Sequence, residues 1–524
     1  MKMIKYSKIT VLFILLFCSL LSAEENSPKK ELKELQQRID QLSEKLAKFE
    51  MEEKVPKNSD KKSREDDQIE ELQILLYELE SRLDEVERDS FMDKLDFGLD
   101  FRTTINNYFY KDDSGAFKGK TAEEIRESSG LVSENGSSPG IVNLRMRLKM
   151  NAELFEKMRF TGWLTSYKLF NGTIDGQFGN VHGVSAGYYP DAKIYLERFY
   201  IDYFPLEWLS FTLGRCPSTD GYPYNIKSNN VRLGTYNEVA FNMPFDSLFI
   251  NFLLDSAGIP DAYLRLLITT GSFLDYKEQP NLITSDFTDQ SWYFGLLYEM
   301  RFPGTKNGKI SFNTMYSPAL TIPMQTYENK DQLLLDGSIG QFFIGNLMTG
   351  FENIGGSNLS LYGAYTMNIV VPPDRTKSDD GIVFAVDEDT GAKIPLLALF
   401  GRVDGKPQIG HMFYAGAQYS LPITLAGQSV KTGADYNYGT KKFYNQYVPD
   451  TTGFSRFLTR GHFFEGYLII PFHFRSHLKI GYIFKQSNYA EGLPFDVISE
   501  TPGDVITPLN EKIHNIYGMV EVFF

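Results

Sequence analysis

The sequence contains few cysteines and, beyond its first two dozen residues, no long apolar run. Its 524 residues include 2 cysteines and 3 tryptophans, and the formal charge is −14. No stretch of about eighteen apolar residues follows the N-terminal segment, which excludes a bundle of membrane-spanning helices. The negative charge argues against a nucleic-acid-binding protein, because such a protein needs a basic face. No nucleic-acid partner is therefore expected.

Aromatic residues and glycine are plentiful instead. The chain has 41 Phe, 31 Tyr and 43 Gly, and its mean hydropathy is −0.27. A transmembrane β-barrel has this composition because each apolar lipid-facing residue alternates with a polar lumen-facing one. The composition therefore favours one large barrel over several soluble domains.

The first 23 residues have the pattern of a secretory signal peptide. Three lysines, at positions 2, 5 and 8, precede the apolar segment Ile9–Leu21, and Ala23 is suited to cleavage before Glu24. Thirteen apolar residues are too few for a comfortable membrane anchor. We expect export, and only Cys216 then remains in the mature chain, so no internal disulfide forms.

Residues 24–93 have the pattern of a coiled-coil arm. Apolar residues recur at spacings of three and four in two segments: Leu32, Leu35, Ile39, Leu42, Leu46 and Phe49, then Ile69, Leu72, Leu76, Leu79, Leu83 and Val86. A polar hinge at 55–67 separates them. Each segment is about two and a half heptads long, too short for a stable lone helix. Self-association of the arm is favoured over packing on a globular neighbour. A trimer is assumed by analogy with porins.

From Leu95 onward the apolar period changes to two. Sixteen strands are predicted, from 95–109 to 513–524, and short turns alternate with long polar loops between them. The predicted fold is all-β, a transmembrane antiparallel β-barrel of about 16 strands over residues 94–524, preceded by the α-helical coiled coil. The alternative is an extra hairpin within 231–254. Glu197 and Arg198 are adjacent, so the alternation does not assign an inward face to the fourth strand.

The last strand supports export to the outer membrane. Ile516, Gly518, Val520 and Val522 share one face with the terminal Phe524. This resembles the C-terminal signal by which the barrel-assembly machinery recognises outer-membrane proteins. Together with the signal peptide it predicts the outer membrane of a diderm bacterium, with outer-membrane lipid around the barrel and the arm in the periplasm.

Charged residues on alternate positions of the second strand predict the pore lining. Arg145, Arg147 and Lys149 point to one side, which in a barrel is the lumen, and they extend over about 14 Å. Arg102 joins them from the first strand. Such a ladder favours anions. Acidic neighbours such as Asp100 leave the alternative that charges neutralise one another across strands.

Three stretches carry a resemblance to a known family. Leu95–Arg102, Asn143–Lys149 and Gly214–Gly221, behind a signal peptide and a coiled coil, resemble an uncharacterised family of coiled-coil, porin-like outer-membrane proteins designated only as a domain of unknown function. The resemblance spans residues 30–524. More loosely, the chain is similar to trimeric porins, including phosphate-selective ones. The resemblance implies a barrel and its location, and no substrate or catalytic residue.

The loop between the fifth and sixth strands, Cys216–Phe245, is the candidate constriction. In general porins the loop at this position folds inward and narrows the pore. Four charged residues of this loop are the candidate constriction residues: Asp220, Lys227, Arg232 and Glu238. The alternative is an ordinary surface loop.

Catalytic chemistry has little support in the sequence. The histidines are scattered over loops and strand ends, no Ser–His–acid set has a recognisable context, and no glycine-rich phosphate loop precedes a helix. We therefore predict no enzyme, no cofactor and no metal site.

Two functions remain. The first is a porin-like channel for passive diffusion of small hydrophilic solutes, with a weak anion preference left open, assembled as a homo-oligomer with the trimer favoured. The second is a structural or surface-interaction protein that tethers the outer membrane to the periplasm through its coiled coil.

Overall fold

The computed structural model describes most of the barrel part of the chain. The described residues are 95–112, 135–155, 157–170, 194–242, 245–271, 292–303, 305, 307–318, 340–372, 384–386, 393–395, 397–399, 405–447, 454, 456–489, 495–497 and 508–524, with Gln37 and Leu79. Two compact units divide the chain, Met1–Asp96 and Phe97–Phe524. Except for Gln37 and Leu79, the predicted signal peptide, arm and hinge lie outside the described residues.

Sixteen strands form a closed barrel in which neighbours along the chain are neighbours in the sheet. They are β1 Leu95–Asp112, β2 Asn135–Phe155, β3 Met158–Phe170, β4 Ile194–Leu206, β5 Leu209–Cys216, β6 Phe245–Leu253, β7 Tyr263–Gly271, β8 Trp292–Arg301, β9 Gly308–Ser317, β10 Gln341–Phe351, β11 Leu359–Val371, β12 Gln408–Leu425, β13 Gln428–Gly439, β14 Gly461–His473, β15 Ser476–Tyr489 and β16 Pro508–Phe523. The barrel closes where β16 pairs antiparallel with β1. The prediction of an all-β antiparallel barrel of sixteen strands is confirmed.

Short turns and long connections alternate around the barrel, as predicted. One of the two-residue turns, between β12 and β13, is the pair Ala426-Gly427, both with positive φ. Positive φ at both central residues is typical of a type I′ hairpin turn. No additional barrel hairpin forms within the described part of 231–254. There, Phe241–Asn242 is a two-residue strand that pairs in parallel with Gln446–Tyr447, apart from the barrel.

Side chains alternate between an apolar outer face and a buried inner face. On β1, Phe97, Ile105 and Phe109 are exposed outward, whereas Asp100 and Arg102 are buried inward. Exposed large apolar residues recur on the other strands, for example on β5, β10 and β14. Soluble proteins rarely expose apolar surface of this extent. The barrel therefore has an apolar outside and an inside that holds the charges.

A β-bulge accounts for the adjacent charged residues of β4. Trp163 pairs with Arg198, but the next residue, Leu164, pairs with Leu196, so Glu197 is an extra residue on its strand. Both Glu197 and Arg198 are buried on the inner face. The bulge thus turns two consecutive side chains inward, which strict alternation forbids.

Three tyrosine–histidine pairs lie on the outer face, each joining the two strands on either side of a long connection. In each pair the tyrosine hydroxyl and the histidine Nδ1 are 2.7 Å apart; the pairs are Tyr365–His411, Tyr436–His462 and Tyr482–His514. Aromatic residues with a polar end are typical of the rim of an apolar belt. Among the described residues, no helix has the length and hydropathy that crossing a bilayer requires.

The inside of the barrel contains three clusters of buried apolar side chains. The largest combines inward residues of β6 to β11, such as Phe249 and Leu297, with Tyr236, Phe241 and Tyr444 from the long connections. The other two are built around Tyr362 and around Tyr517. Long connections therefore enter the barrel and pack there as a soluble core does.

Candidate functional site

The connection between β5 and β6 folds into the barrel. Its described part, Pro217–Asn242, is called here the lumenal segment, and most of its side chains are buried. Its first residues meet Gly234 and Thr235 at a neck, where Thr235 N donates to Pro217 O at 2.8 Å and Gly234 N donates to Asp220 O at 3.0 Å. A Cβ on Gly221 would lie 1.6 Å from Tyr236 O, so only glycine allows the neck to close.

One helical turn in this segment, α1 (Tyr224–Lys227), sends side chains to different walls of the barrel. Arg102 of β1 donates to the Tyr224 hydroxyl. Lys227 Nζ lies 2.6 Å from Asp435 Oδ2 of β13 and 3.1 Å from Glu465 Oε2 of β14. The short helix therefore connects β1 with β13 and β14 across the lumen.

The wall formed by β1, β2, β4 and β16 combines five cations with acidic partners. The cations, called here the basic cluster, are Arg102, Arg145, Arg147, Lys149 and Arg198, and the carboxylates are Asp100, Glu197, Glu521 and, from the lumenal segment, Asp220. Arg145 Nη2 donates to both oxygens of Asp100 at 3.1 Å. Arg102 Nε donates to Glu521 at 2.9 Å.

Each residue of the predicted pore lining has an acidic neighbour. Lys149 Nζ, with a side chain 19% exposed, lies 3.6 Å from Asp100 Oδ2, and Arg147 donates to Glu197 and Asp220. All four predicted residues lie on the inner face, as the alternation implies. Their charges are therefore largely offset within the wall and the lumenal segment.

The four predicted constriction residues are all in the lumenal segment, and Asp220, Lys227 and Arg232 bind different strands of the barrel. Arg232 Nη1 donates to both oxygens of Glu299 on β8, at 2.8 and 2.6 Å. Glu238 is 1% exposed, and its backbone N–H donates to Tyr222 O within the segment. The structure does not bring these four charges together into one ring.

Neighbouring groups of opposite charge keep Asp220 and Lys227 of the segment ionised. Burial raises the pKa of Asp220, but Arg147, Arg145 and Arg198 outweigh it and lower the pKa to about 2. Burial lowers the pKa of Lys227, but Asp435 and Glu465 outweigh it and raise the pKa well above its ordinary value. Both side chains therefore remain charged across the physiological pH range.

The tip of the segment reaches the end of the barrel that carries the short turns. Asn229 Nδ2 donates to Gln428 Oε1 at 3.2 Å, and Lys431 Nζ donates to Asn229 Oδ1 at 2.6 Å. Gln428 in turn donates to Phe474 O of the turn between β14 and β15. The segment therefore extends from the neck, beside Arg147 and Arg198, to the short-turn end of the barrel.

A second connection also enters the barrel, which the sequence interpretation missed. Between β13 and β14, the side chains of Phe443, Tyr444, Phe454 and Phe457 are buried. Asn445 Nδ2 donates to Val239 O of the lumenal segment at 2.9 Å. The four aromatic residues of this long polar loop could have indicated that the loop is buried, because large apolar side chains are usually buried.

The inner face has the chemistry of paired charges and amides. Asn237 Nδ2 donates to Ser311 Oγ at 2.7 Å and to Asn346 Oδ1 at 3.1 Å, which ties the segment to β9 and β10. In the described part of the chain, no group of three or more His, Cys, Asp or Glu side chains has the geometry to hold a metal ion. Such an inner face can bind polar solutes and select among them.

A family model described as "Protein of unknown function (DUF3373)" matches residues 137–524. The chain belongs to the DUF3373 family. The match includes the Asn143–Lys149 and Gly214–Gly221 stretches, and the predicted resemblance to a family designated as a domain of unknown function is confirmed. No curated protein matches this DUF3373 chain.

Two solved structures are similar to this DUF3373 barrel. The complex of Salmonella typhi OmpF with daunomycin is 9% identical, with a TM-score of 0.39, and the similarity covers 81% of this chain and 97% of that one. The high-pH structure of Pseudomonas putida OprB is 11% identical, with a TM-score of 0.45, over 84% of this chain and 96% of that one.

Proposed function

We propose that the protein is an outer-membrane channel of low permeability for small hydrophilic solutes, narrowed by its own lumenal segment. The observation that supports this most is the closed sixteen-strand barrel with an apolar outside and a charged inside, which holds a loop bound to its wall by ion pairs. A barrel of this strand number encloses a lumen wide enough for water unless something fills it. The lumenal segment and the connection between β13 and β14 both occupy it.

A weak anion preference remains part of the proposal. The basic cluster has one cation more than its carboxylate partners, which favours anions near β1 to β4. The excess is small because each carboxylate lies within about 4 Å of a cation, where attraction offsets most of the field. Reversal potentials across a salt gradient measure this preference.

Conductance in planar bilayers tests the channel function. The variant removes Tyr222–Leu233 and joins Gly221 to Gly234 through two glycines, which the geometry permits because a Cβ on Gly234 would lie 2.9 Å from Gly221 Cα. We expect small openings from the intact protein and larger, steady conductance from the variant. Heat-dependent migration on SDS gels verifies that both barrels are folded. A folded variant that conducts no current would exclude the channel.

The second candidate is the structural role, favoured by the apolar clusters that fill the inside of the barrel. A barrel that serves only as an anchor needs no open path. Deleting residues 24–93 separates the two functions. Lost attachment of the outer membrane to the periplasm with unchanged conductance would assign the tethering to the arm and leave the channel function intact.

Location and assembly belong to the same proposal. The apolar outer face supports contact with outer-membrane lipid, and a barrel with such a face would be delivered by the barrel-assembly machinery. A periplasmic coiled-coil arm would join several copies, with a trimer as the favoured state. Native mass spectrometry of the full chain and of the chain without residues 24–93 determines the copy number.

A further inference from the structure

Two carboxylates face each other across neighbouring strands inside the barrel. Asp435 of β13 and Glu465 of β14 are register partners, and both are buried on the inner face. Like charges directly opposite each other destabilise a sheet. The ammonium of Lys227, from the lumenal segment, lies within 3.1 Å of both carboxylates. The positive charge of Lys227 therefore offsets the repulsion between Asp435 and Glu465 of the barrel wall.

The two carboxylates depend on that cation to different degrees. Glu465 also binds Arg456 Nη1 at 2.7 Å and Lys479 Nζ at 2.9 Å. Asp435, among the contacts described, has Lys227 as its one cation and the Tyr362 hydroxyl as a donor at 2.6 Å. Withdrawal of the loop would leave Asp435 as a buried carboxylate without a counter-charge.

The surroundings of Asp435 include a hydroxyl without a hydrogen-bond partner. Among the described residues, the buried Tyr414 hydroxyl has no hydrogen-bond partner, whereas Asp435 Oδ2 pairs with Lys227 Nζ at 2.6 Å. The Tyr414 ring stacks on Tyr362 with centroids 5.9 Å apart, and Tyr414 interacts electrostatically with both Asp435 and Lys227. An oxygen acceptor and a hydroxyl thus adjoin the ammonium.

We propose that Asp435, Glu465, Tyr362 and Tyr414 form a binding site for a primary ammonium group, and that Lys227 is its tethered occupant. An ammonium is a compact cation with three donors, which suits two carboxylates that meet at one point, one of them bonded to the Tyr362 hydroxyl. Small solutes that carry a primary ammonium compete with Lys227 and weaken the attachment of the lumenal segment. The binding does not require that the barrel conduct solutes.

The test uses the full chain in detergent and n-propylammonium chloride as the probe. Lys227→Ala removes the ammonium and leaves room for the propyl chain of the probe, and we expect Tm to fall by roughly 5 °C or more because a buried pair is broken. Propylammonium then restores most of the loss, whereas sodium and tetramethylammonium at equal ionic strength do not. Equal effects of all three cations would overturn the proposal.

Two further variants make the result specific. Lys431→Ala removes a neighbouring lysine that binds Asn229 at the tip, and propylammonium should not restore its stability. In Lys227→Ala combined with Asp435→Asn the rescue should disappear, and a persisting rescue would place the bound ammonium elsewhere.

The wild-type protein provides a readout that does not depend on the folding of any variant. Propylammonium should speed backbone hydrogen exchange in Tyr224–Asn229, because displaced Lys227 no longer holds the helical turn. Unchanged exchange in the wild type, together with absent rescue, would refute the site. Failure of this experiment and failure of conductance are independent outcomes.

Discussion

Arg147 holds Asp220 through Nη1 at 2.7 Å while its Nε donates to Glu197 at 2.6 Å. Glu197 belongs to the barrel wall and Asp220 to the lumenal segment, so one guanidinium joins the two. Arg147 would keep a carboxylate partner if the segment moved away. Arg147 therefore has a carboxylate partner whether or not the lumenal segment is bound. Release of the segment leaves mainly Asp220 without its partner.

Asp220→Asn should loosen the lumenal segment without disturbing its backbone. Asp220 has φ 58, a conformation that asparagine tolerates as well as aspartate does. Loss of the charged hydrogen bond costs about 1.5–3 kcal/mol, which corresponds to a fall in Tm of about 2–5 °C. Thermal unfolding in detergent, followed by circular dichroism, measures it.

The matched control is Asp261→Asn. Asp261 also has positive φ and an arginine partner, Arg301, but its side chain is 60% exposed. An exposed ion pair contributes roughly 0–1 kcal/mol, so this variant should unfold almost as the parent does. Equal losses in both variants would mean that the Arg147–Asp220 pair has no special role.

The stabilisation by Asp220 should disappear at acid pH. Its pKa is about 2 in the folded protein and 3.8 ordinarily, so the folded state binds its proton less readily than the unfolded state does. The contribution is therefore complete above pH 4 and is lost as pH falls towards 2. The Tm difference between the parent and Asp220→Asn should stay constant at neutral pH and shrink over that interval. A difference that persists at the acid end would contradict the low pKa.

The alternation of residues was sufficient to predict the barrel. Leu95–Ile105 and Val142–Met150 have the period of two that a wall with two different faces imposes, and the count of sixteen follows from repeated long and short connections. The inward direction of Arg145 and Arg147 could be predicted for the same reason. Local periodicity carries this information because each strand is paired along its whole length.

The contents of the lumen were less predictable, because they depend on contacts between residues far apart in the chain. Lys227 binds Asp435, about two hundred positions later, and no local pattern links them. The bulge at Glu197 depends on pairing with Trp163 and Leu164. Neutralisation of the basic cluster likewise required Glu521, from the far end of the chain, which the sequence interpretation did not name.

Gly221→Ala should prevent the neck of the lumenal segment from closing. The added Cβ meets the backbone oxygen of Tyr236, which has no flexible end that could move aside. We expect faster hydrogen exchange across α1 and higher conductance. Gly518→Ala is the control, because a Cβ there meets nothing within 4 Å. If both variants behaved like the parent, the neck would tolerate a side chain and the tight closure would be wrong.

Tryptophan fluorescence should distinguish the two faces of the barrel wall. Trp163 is 5% exposed and lies under the guanidinium of Arg198, with Cζ 3.7 Å from the ring centroid. Trp208 is 42% exposed and stacks on Phe252 of the outer face. Two variants that each retain one of these tryptophans, with phenylalanine at the other position and at Trp292, report on each face separately.

In vesicles of lipids brominated high on the acyl chains, Trp208 should be strongly quenched and Trp163 should not. Bromine quenches only at short range, so the contrast requires that the apolar face contact acyl chains and that the charged face be shielded from them. The same variants in unbrominated vesicles correct for changes in quantum yield. Equal quenching of both residues would mean that lipid reaches the inner face, and quenching of neither would mean that the apolar face is covered by protein.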